Sequence, residues 1–206
     1  KHINEGLIDV ITKKLTNRNL SESVDLKEKD ESYFHKIVSS INGAELKIFK
    51  DLEQVEKLKE ILAEVDKLFM TNKKGHDHFM HEIRWTKREV EETRDGIDIN
   101  TIDLTPSERA GLIVSKNWNV TKHIKKWKLG NEFGKLSRKA IDSASALGMI
   151  TMPKFEEENF YDGGRAVQKL WLAASERGIA FQPMSISTFL FAKIDDNNFD
   201  DIEEIK

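Results

Sequence analysis

Cysteine is absent from this 206-residue chain. Without a thiol there is no disulfide framework, no thiolate nucleophile and no cysteine-ligated zinc or iron–sulfur cluster, and a cytoplasmic setting is the expectation. Long apolar runs are missing as well. None approaches the roughly 20 residues of a membrane span, and the first residues lack the pattern of a signal peptide, so no membrane partner is expected. Charge of one sign is also lacking: 33 basic residues nearly balance 36 acidic ones, for a net −3. That balance gives no global pull toward nucleic acid or an anionic surface, so any basic site must be local. There is no internal repeat, low-complexity block or long linker to mark a boundary. What is present, 38% hydrophobic residues over this length, is enough to bury one substantial core, and a single domain over 1–206 is expected. The chain opens on Lys1 and stops at Lys206 inside helical patterns, so a fragment truncated at both ends is expected.

Periodicity gives the elements. Ile3, Leu7, Ile8, Ile11 and Leu15 recur at helical spacing and predict a first helix that ends at the polar cluster Thr16-Asn17-Arg18-Asn19. Phe34, Ile37, Val38 and Ile41 predict a second helix closed by Asn42-Gly43, and Glu45 to Lys50 alternates with period two as a half-buried strand does. Helices are predicted over Leu52–Phe69 and Asp77–Glu92. Thr105-Pro106-Ser107-Glu108 reads as a helix start, with Thr105 as cap and Glu108 three residues on. Asn131–Leu147 reads as a helix ended by Gly148, and Met149–Met152 as a short strand stopped by Pro153. Phe160–Arg177 reads as a helix ending at Gly178, Ile179–Pro183 as a strand, and Ser185–Ala192 as a last helical turn. The class is α+β, with few strands and many helices.

Residues 163–183, Gly-Gly-Arg-Ala-Val-Gln-Lys-Leu-Trp-Leu-Ala-Ala-Ser-Glu-Arg-Gly-Ile-Ala-Phe-Gln-Pro, resemble the late helix-then-strand segment of the nitroreductase superfamily. There a glycine precedes a helix of the form Ala-x-Gln-x-Leu-x-Leu-Ala-Ala, and Gly-hydrophobe-small leads into a strand beside the flavin. Lys14-Leu15-Thr16-Asn17-Arg18 is similar to the family's Arg-x-Ser-x-Arg element, which closes the first helix and holds the FMN phosphate and ribityl chain. Glu82-Ile83-Arg84-Trp85 and Thr93-Arg94-Asp95-Gly96-Ile97 resemble a divergent branch, some of whose members are fused to a ubiquitin-activating-type adenylation domain. The resemblance implies a nitroreductase-like fold, a small central, mostly antiparallel sheet surrounded by helices, and a possible fused adenylation domain in the full-length protein. It also implies a homodimer with FMN at the interface, fed by NADH or NADPH, passing electrons by a ping-pong mechanism to a small acceptor such as a nitro or quinone compound. The cofactor-binding set it implies is Lys14, Thr16, Asn17, Arg18, Arg165, Gln168, Ala180, Gln182, Pro183, Met184 and Ser185, with no catalytic acid or base. The sequence departs from the pattern at Lys14, where arginine is common, and at Ile179-Ala180 in place of Leu-Gly. The C-terminal cation that often meets phosphate has no clear equivalent before Lys206.

Physical chemistry asks for these residue types independently. A phosphate dianion needs permanent cations and hydroxyl donors, and the guanidinium fork grips two oxygens at once, which suits Arg18 and Thr16. Negative charge developing on a reduced flavin is stabilised by a nearby cation, here Lys14. Ala180 to Ser185 are candidates for an apolar wall. Asn17 either addresses the flavin edge or ends the helix by local hydrogen bonding. Arg165 and Gln168, one turn apart, either face the flavin or the partner subunit, or stabilise helix packing.

Three other groups stand out. His76, His78 and His81 have spacing that suits zinc or copper, but without cysteine or an established fourth ligand they read as an exposed polar helix start, and no metal is assigned. Lys122, His123, Lys125, Lys126, Trp127 and Lys128 interleave cations with an aromatic; balanced total charge favours a solvated helix face over nucleic acid, with Trp118 and Trp127 packed inward or against a dimer partner. Glu82, Arg84 and Asp95 form either a buried ionic network or part of a site. Two alternatives to the reductase stay open: a flavin-storage protein with little turnover, and a flavin-free helical interaction module.

Overall fold

The computed structural model describes residues 5–20 and 23–195. Its helices are α1 (Glu5–Ile8), α2 (Glu28–Val38), α3 (Leu52–Thr71), α4 (Lys73–Glu82), α5 (Lys87–Thr93), α6 (Pro106–Val114), α7 (Trp118–Lys126), α8 (Lys135–Asp142), α9 (Glu157–Glu176) and α10 (Ile186–Asp195). The strands are β1 (Glu45–Phe49), β2 (Ile83–Arg84), β3 (Ile97–Asp98) and β4 (Leu147–Thr151), and 3-10 turns lie at Ile11–Lys13, Ile99–Thr101 and Gly130–Gly134. The class is α+β: β1 and β4 pair antiparallel, and β2 and β3 make a two-residue parallel contact. Among the described residues no helix is long and apolar enough to cross a membrane. The described residues fall into two compact units, one of 5–17, 23–55 and 143–183, the other of 18–20, 56–142 and 184–195.

In the first unit α2 buries Phe34, Ile37 and Val38, and Ile41, Ala44 and Leu46 carry the apolar line into β1. Against them α9 sets Ala166, Leu170, Leu172, Ala173 and Ala174, with Leu7 and Val10 closing the same core. Ala166 and Ala173 are fully buried; with nothing beyond Cβ they let two helices approach closely. β1 alternates as predicted, and its register puts Leu46 opposite Ile150 and Ile48 opposite Gly148.

The second unit rests on capped helices. Thr105 and Glu108 form the capping box read from the sequence, and Glu108 also takes Lys139 Nζ at 2.6 Å. That ammonium first, and the Thr105 N–H next, hold the Glu108 carboxyl down at about 2. Phe69 and Leu190 are buried together, with Val65, Phe79 and Ile186 around them. The Gly130–Gly134 turn lies directly on α3, since a Cβ at Gly134 would stand 2.5 Å from the Ala63 carbonyl oxygen. One turn on from that contact the Ser137 hydroxyl donates to the Asp66 carboxylate.

Four expected elements differ, each for a local reason. Of the first helix, Ile3 lies outside the described residues; α1 stops at Ile8, and the backbone is extended by Lys14. Leu7 and Val10 are buried while Ile8, Ile11 and Leu15 stand in solvent, so the apolar stripe does not serve one core face. The predicted 77–92 helix is two helices, because Thr86 and Glu89 form a second capping box that starts α5. The predicted 131–147 helix stops at Asp142: Ser145 Oγ accepts the Val24 N–H, and Gly148 sits inside β4 rather than ending a helix. Ile179–Pro183 is irregular; it has no place in either two-stranded sheet, and Pro183 has no N–H to donate to a ladder.

Asp66 gives a pH-dependent prediction. Burial raises its carboxyl to about 6, against the lowering effect of the Ser137 hydroxyl. A folded-state pKa above the unfolded value means stability present at low pH and lost as pH rises through about 6. Urea unfolding at pH 5 and pH 7.5 is therefore expected to show a contribution of about 1.4 kcal/mol favouring pH 5, and Asp66→Asn to remove it. An unchanged pH dependence in that variant would refute the assignment.

Candidate functional site

Lys14 and α9 meet in the first unit. Lys14 Nζ donates to Gln168 Oε1 at 2.9 Å and lies 3.7 Å from the centroid of the Trp171 ring. Trp171, one helical turn beyond Gln168, donates its indole N–H to the Leu15 carbonyl at 3.0 Å. Its ring stacks on Phe181 at 5.5 Å with 22° between planes, and the Asn17 N–H donates to the Phe181 carbonyl at 3.1 Å. Residues 14–17, 168–171 and 181 are thereby tied into one cluster. The fold makes this possible at the end of α9. Gly178 takes the left-handed backbone (φ 68), and Ile179 N–H closes on Ala174 O at 2.9 Å, which turns the chain back toward Trp171.

The cluster contains Lys14, Asn17 and Gln168 of the sequence-predicted set, with half-buried Thr16 between the first two. Ala180 and Gln182 are exposed beside Phe181, and Pro183 is half-buried. Arg165 is not brought in: it pairs with Asp162 at 2.7 Å and stands near the Tyr161 ring. Arg18, Met184 and Ser185 belong to the second unit. There the Ser185 carbonyl accepts the Phe189 N–H as α10 begins. Arg18 is half-buried, burial pulls its pKa down, and it has no ion pair among the described residues. The sequence reading missed Trp171 and took in Phe181 only within the Ala180–Ser185 wall, although both stand in the stretch that carries the resemblance; the readable signal was an aromatic three residues after Gln168.

The electrostatics of the cluster follow from its partners. An amide oxygen and an aromatic face hold the Lys14 ammonium. Both are neutral, so the positive charge is oriented but not cancelled. Carboxylates elsewhere do the opposite: Glu108 meets Lys139 and Lys135, and Glu60 meets Arg138.

The other constellations resolve structurally. His76 is 2% exposed, not part of an exposed helix start; its Nε2 bonds the Ser115 carbonyl at 2.7 Å, which also accepts from Thr121 Oγ1. Asn72 caps α4 directly before it, so the histidine is carried inward. Among the described residues no three metal-binding side chains converge. Arg84 grips Asp95 at 2.6 Å and donates to the His81 carbonyl. Asp95 is exposed, so this is a half-buried pair, and Glu82 enters only through a backbone oxygen beside Gly96. Trp118 lies 5.2 Å from the His76 ring. Trp127 does not pack inward: it is exposed at the C-terminal cap of α7, its ring 5.7 Å from that of His123.

Trp171 anchors the cluster, and its substitutions are expected to separate its contacts. Trp171→Phe removes the indole N–H bond and part of the ring area while keeping an aromatic face, and is expected to cost about 1–2 kcal/mol in urea unfolding. Trp171→Leu, which also loses the stack and the cation contact, is expected to cost about 2–3 kcal/mol. Equal losses from the two would show that the ring contacts contribute nothing.

The chain is 26% identical over 155 residues to an uncharacterized protein of Mycobacterium tuberculosis (strain CDC 1551 / Oshkosh). The match takes in 75% of this chain and 21% of that protein, so the chain spans about a fifth of the length of the curated relative it matches. No family model matches the chain, and no solved structure does.

Proposed function

We propose that the chain is an FMN-binding domain of nitroreductase type that transfers electrons from NADH or NADPH to a small acceptor, such as a nitro or quinone compound, and works as a homodimer. The observation that carries this reading is the joining of Lys14 to Gln168 and Trp171, beside the Asn17–Phe181 bond. Two segments 150 residues apart, each selected by the resemblance, share one cluster around an uncancelled cation.

The residues fit the cofactor. A phosphate dianion requires a cation that the protein itself leaves unneutralised, and Arg18 is half-buried without an ion pair among the described residues. The resemblance gives the phosphate to Arg18. The ammonium of Lys14, fixed by neutral partners, would favour negative charge on a reduced ring. Bound FMN would supply the redox chemistry, taking up a hydride equivalent from the nicotinamide and releasing electrons to the acceptor in ping-pong order. The protein's share is binding, orientation and field, which accounts for a site without an acid–base pair. Ile11 and Leu15, exposed on either side of Lys14, are apolar surface of the kind a second subunit covers. A family member fused to an adenylation domain would also be far longer than this chain, as is the mycobacterial relative.

The test is the visible spectrum of protein mixed with excess FMN, desalted, and then treated anaerobically with NADPH and NADH. Retained flavin bands that bleach are expected. Bands retained but unbleached would replace the reductase with a storage protein, and loss of all flavin would overturn both in favour of an interaction module. In the same assay Arg18→Ala is expected to weaken FMN retention by about 10-fold or more, and Lys14→Met to retain FMN yet slow bleaching by about 10-fold.

A further inference from the structure

Between Glu108 and Glu132 the sequence holds no acidic residue, while Arg109, Lys116, Lys122, Lys125, Lys126 and Lys128 all fall in that stretch. In a chain of net −3 this is the local basic site that balanced composition permits. Arg109 donates to Asn100 at 2.8 Å, Lys116 lies 4.3 Å from the centroid of the Trp85 ring, and Lys125 is also engaged. Lys122, Lys126 and Lys128 are exposed and have no ion pair among the described residues. Lysines at a helix C-terminus are ordinary partners of the helix dipole and carry no inference by themselves.

The end of α7 is what departs from the ordinary. It closes with the same two bonds as α9. Lys128 N–H reaches Lys125 O at 2.9 Å and Leu129 N–H reaches Ile124 O at 3.0 Å; in α9 Gly178 N–H reaches Ser175 O and Ile179 N–H reaches Ala174 O. This closure requires a left-handed residue after the cap, and glycine meets it without steric cost. Lys128 holds that place at φ 57, against the preference of a side chain with a Cβ. The next residue normally packs back on the last turn. Ile179 does so against the first unit's core, whereas Leu129 is 60% exposed and Trp127 64%. A lysine in a disfavoured backbone position thus stands between two bulky apolar side chains in water, an arrangement that folding stability does not call for.

We propose that Trp127, Lys128 and Leu129 form a docking tip for an anionic phospholipid surface. Trp127 and Leu129 enter the boundary between headgroups and acyl chains, and Lys122, Lys126 and Lys128 meet the lipid phosphates. A lipid surface takes up an aliphatic side chain as readily as an aromatic one. Single-stranded nucleic acid stacks successive bases on successive rings; here the exposed rings between Lys122 and Leu129 are Trp127 and His123, and they lie against each other, 5.7 Å between centroids at 58°, instead of standing as separate platforms. The contact needs no spanning helix, and the negative balance of the remaining chain orients the tip toward the membrane.

The test is co-sedimentation and tryptophan emission of the 206-residue chain with vesicles of phosphatidylcholine containing about one-third phosphatidylserine, beside vesicles of phosphatidylcholine alone. Binding and a blue shift with the first vesicles only, weakened by high salt, are expected. Lys128→Gly is the decisive variant: it relieves the left-handed lysine, so thermal stability is expected to hold or rise while vesicle affinity falls about five-fold. K122E/K126E/K128E is expected to lose binding, and Trp127→Ser to lose the blue shift. Absent binding to the anionic vesicles, affinity unchanged in Lys128→Gly and in the triple variant, or binding to an oligo-dT probe in place of vesicles would each overturn the proposal.

Discussion

Close approach of α2 and α9 is the constraint on which the first unit depends. Ala166 and Ala173 are fully buried and Ala174 nearly so, and any longer side chain there would push α2 away and open the core around Phe34, Ile37 and Val38. With that face fixed, the rest of α9 has little freedom. Gln168 and Trp171 emerge where residues 14–17 pass, and the hydroxyl of Tyr33 reaches Glu176 at 2.7 Å near the far end. Burial, with that carboxylate, pushes the Tyr33 hydroxyl up to about 12. The site is therefore built on the back of a packed helix, the arrangement that holds side chains most firmly.

Charge is handled differently at Lys14 and along the helices of the second unit. In the second, carboxylates and cations are set against each other: Lys59 between Glu56 and Asp142, Arg138 on Glu60, and Glu108 beneath Lys139. Exposed pairs of this kind contribute little individually, and each cancels its own charge; the first unit has them as well, in Lys50 with Glu31 and Arg165 with Asp162. In the first unit the lysine beside α9 meets only neutral groups. A cation oriented and left uncancelled attracts an anion, and Lys14 shares the lack of an ion pair, among the described residues, with Lys126 and Lys128 at the end of α7.

Where the chain's own local chemistry decided the outcome, the sequence was legible. Thr105-Pro106-x-Glu108 carries its entire capping box within four residues, and the structure has it. Gly178 marks the end of α9 because few other residues take a left-handed backbone without strain. The alternation in Glu45–Phe49 needs only a core on one side. Failures came where a second segment intervened. Ser145, called helical, is turned aside by a bond to Val24, a residue 121 positions away. Residues 179–183 have strand-like composition, but among the described residues no strand pairs with them.

The candidate site divides in the same way. Lys14, Asn17 and Gln168 were readable because a motif names residue types at fixed spacing along one segment. Which of them touch was not: Gln168 holds Lys14 while Arg165, one turn away, turns to Asp162. His76 also went unread as a buried residue, since nothing near it in sequence announces the Ser115 carbonyl that it meets. The sequence by itself determined the helix-rich α+β class, the helix caps and the absence of thiol chemistry, all properties of local backbone preference and composition. Only the tertiary structure decided the partners of Lys14, Trp171 and His76. Those contacts join segments from about 40 to more than 150 residues apart, and their energies exist only once the helices have packed.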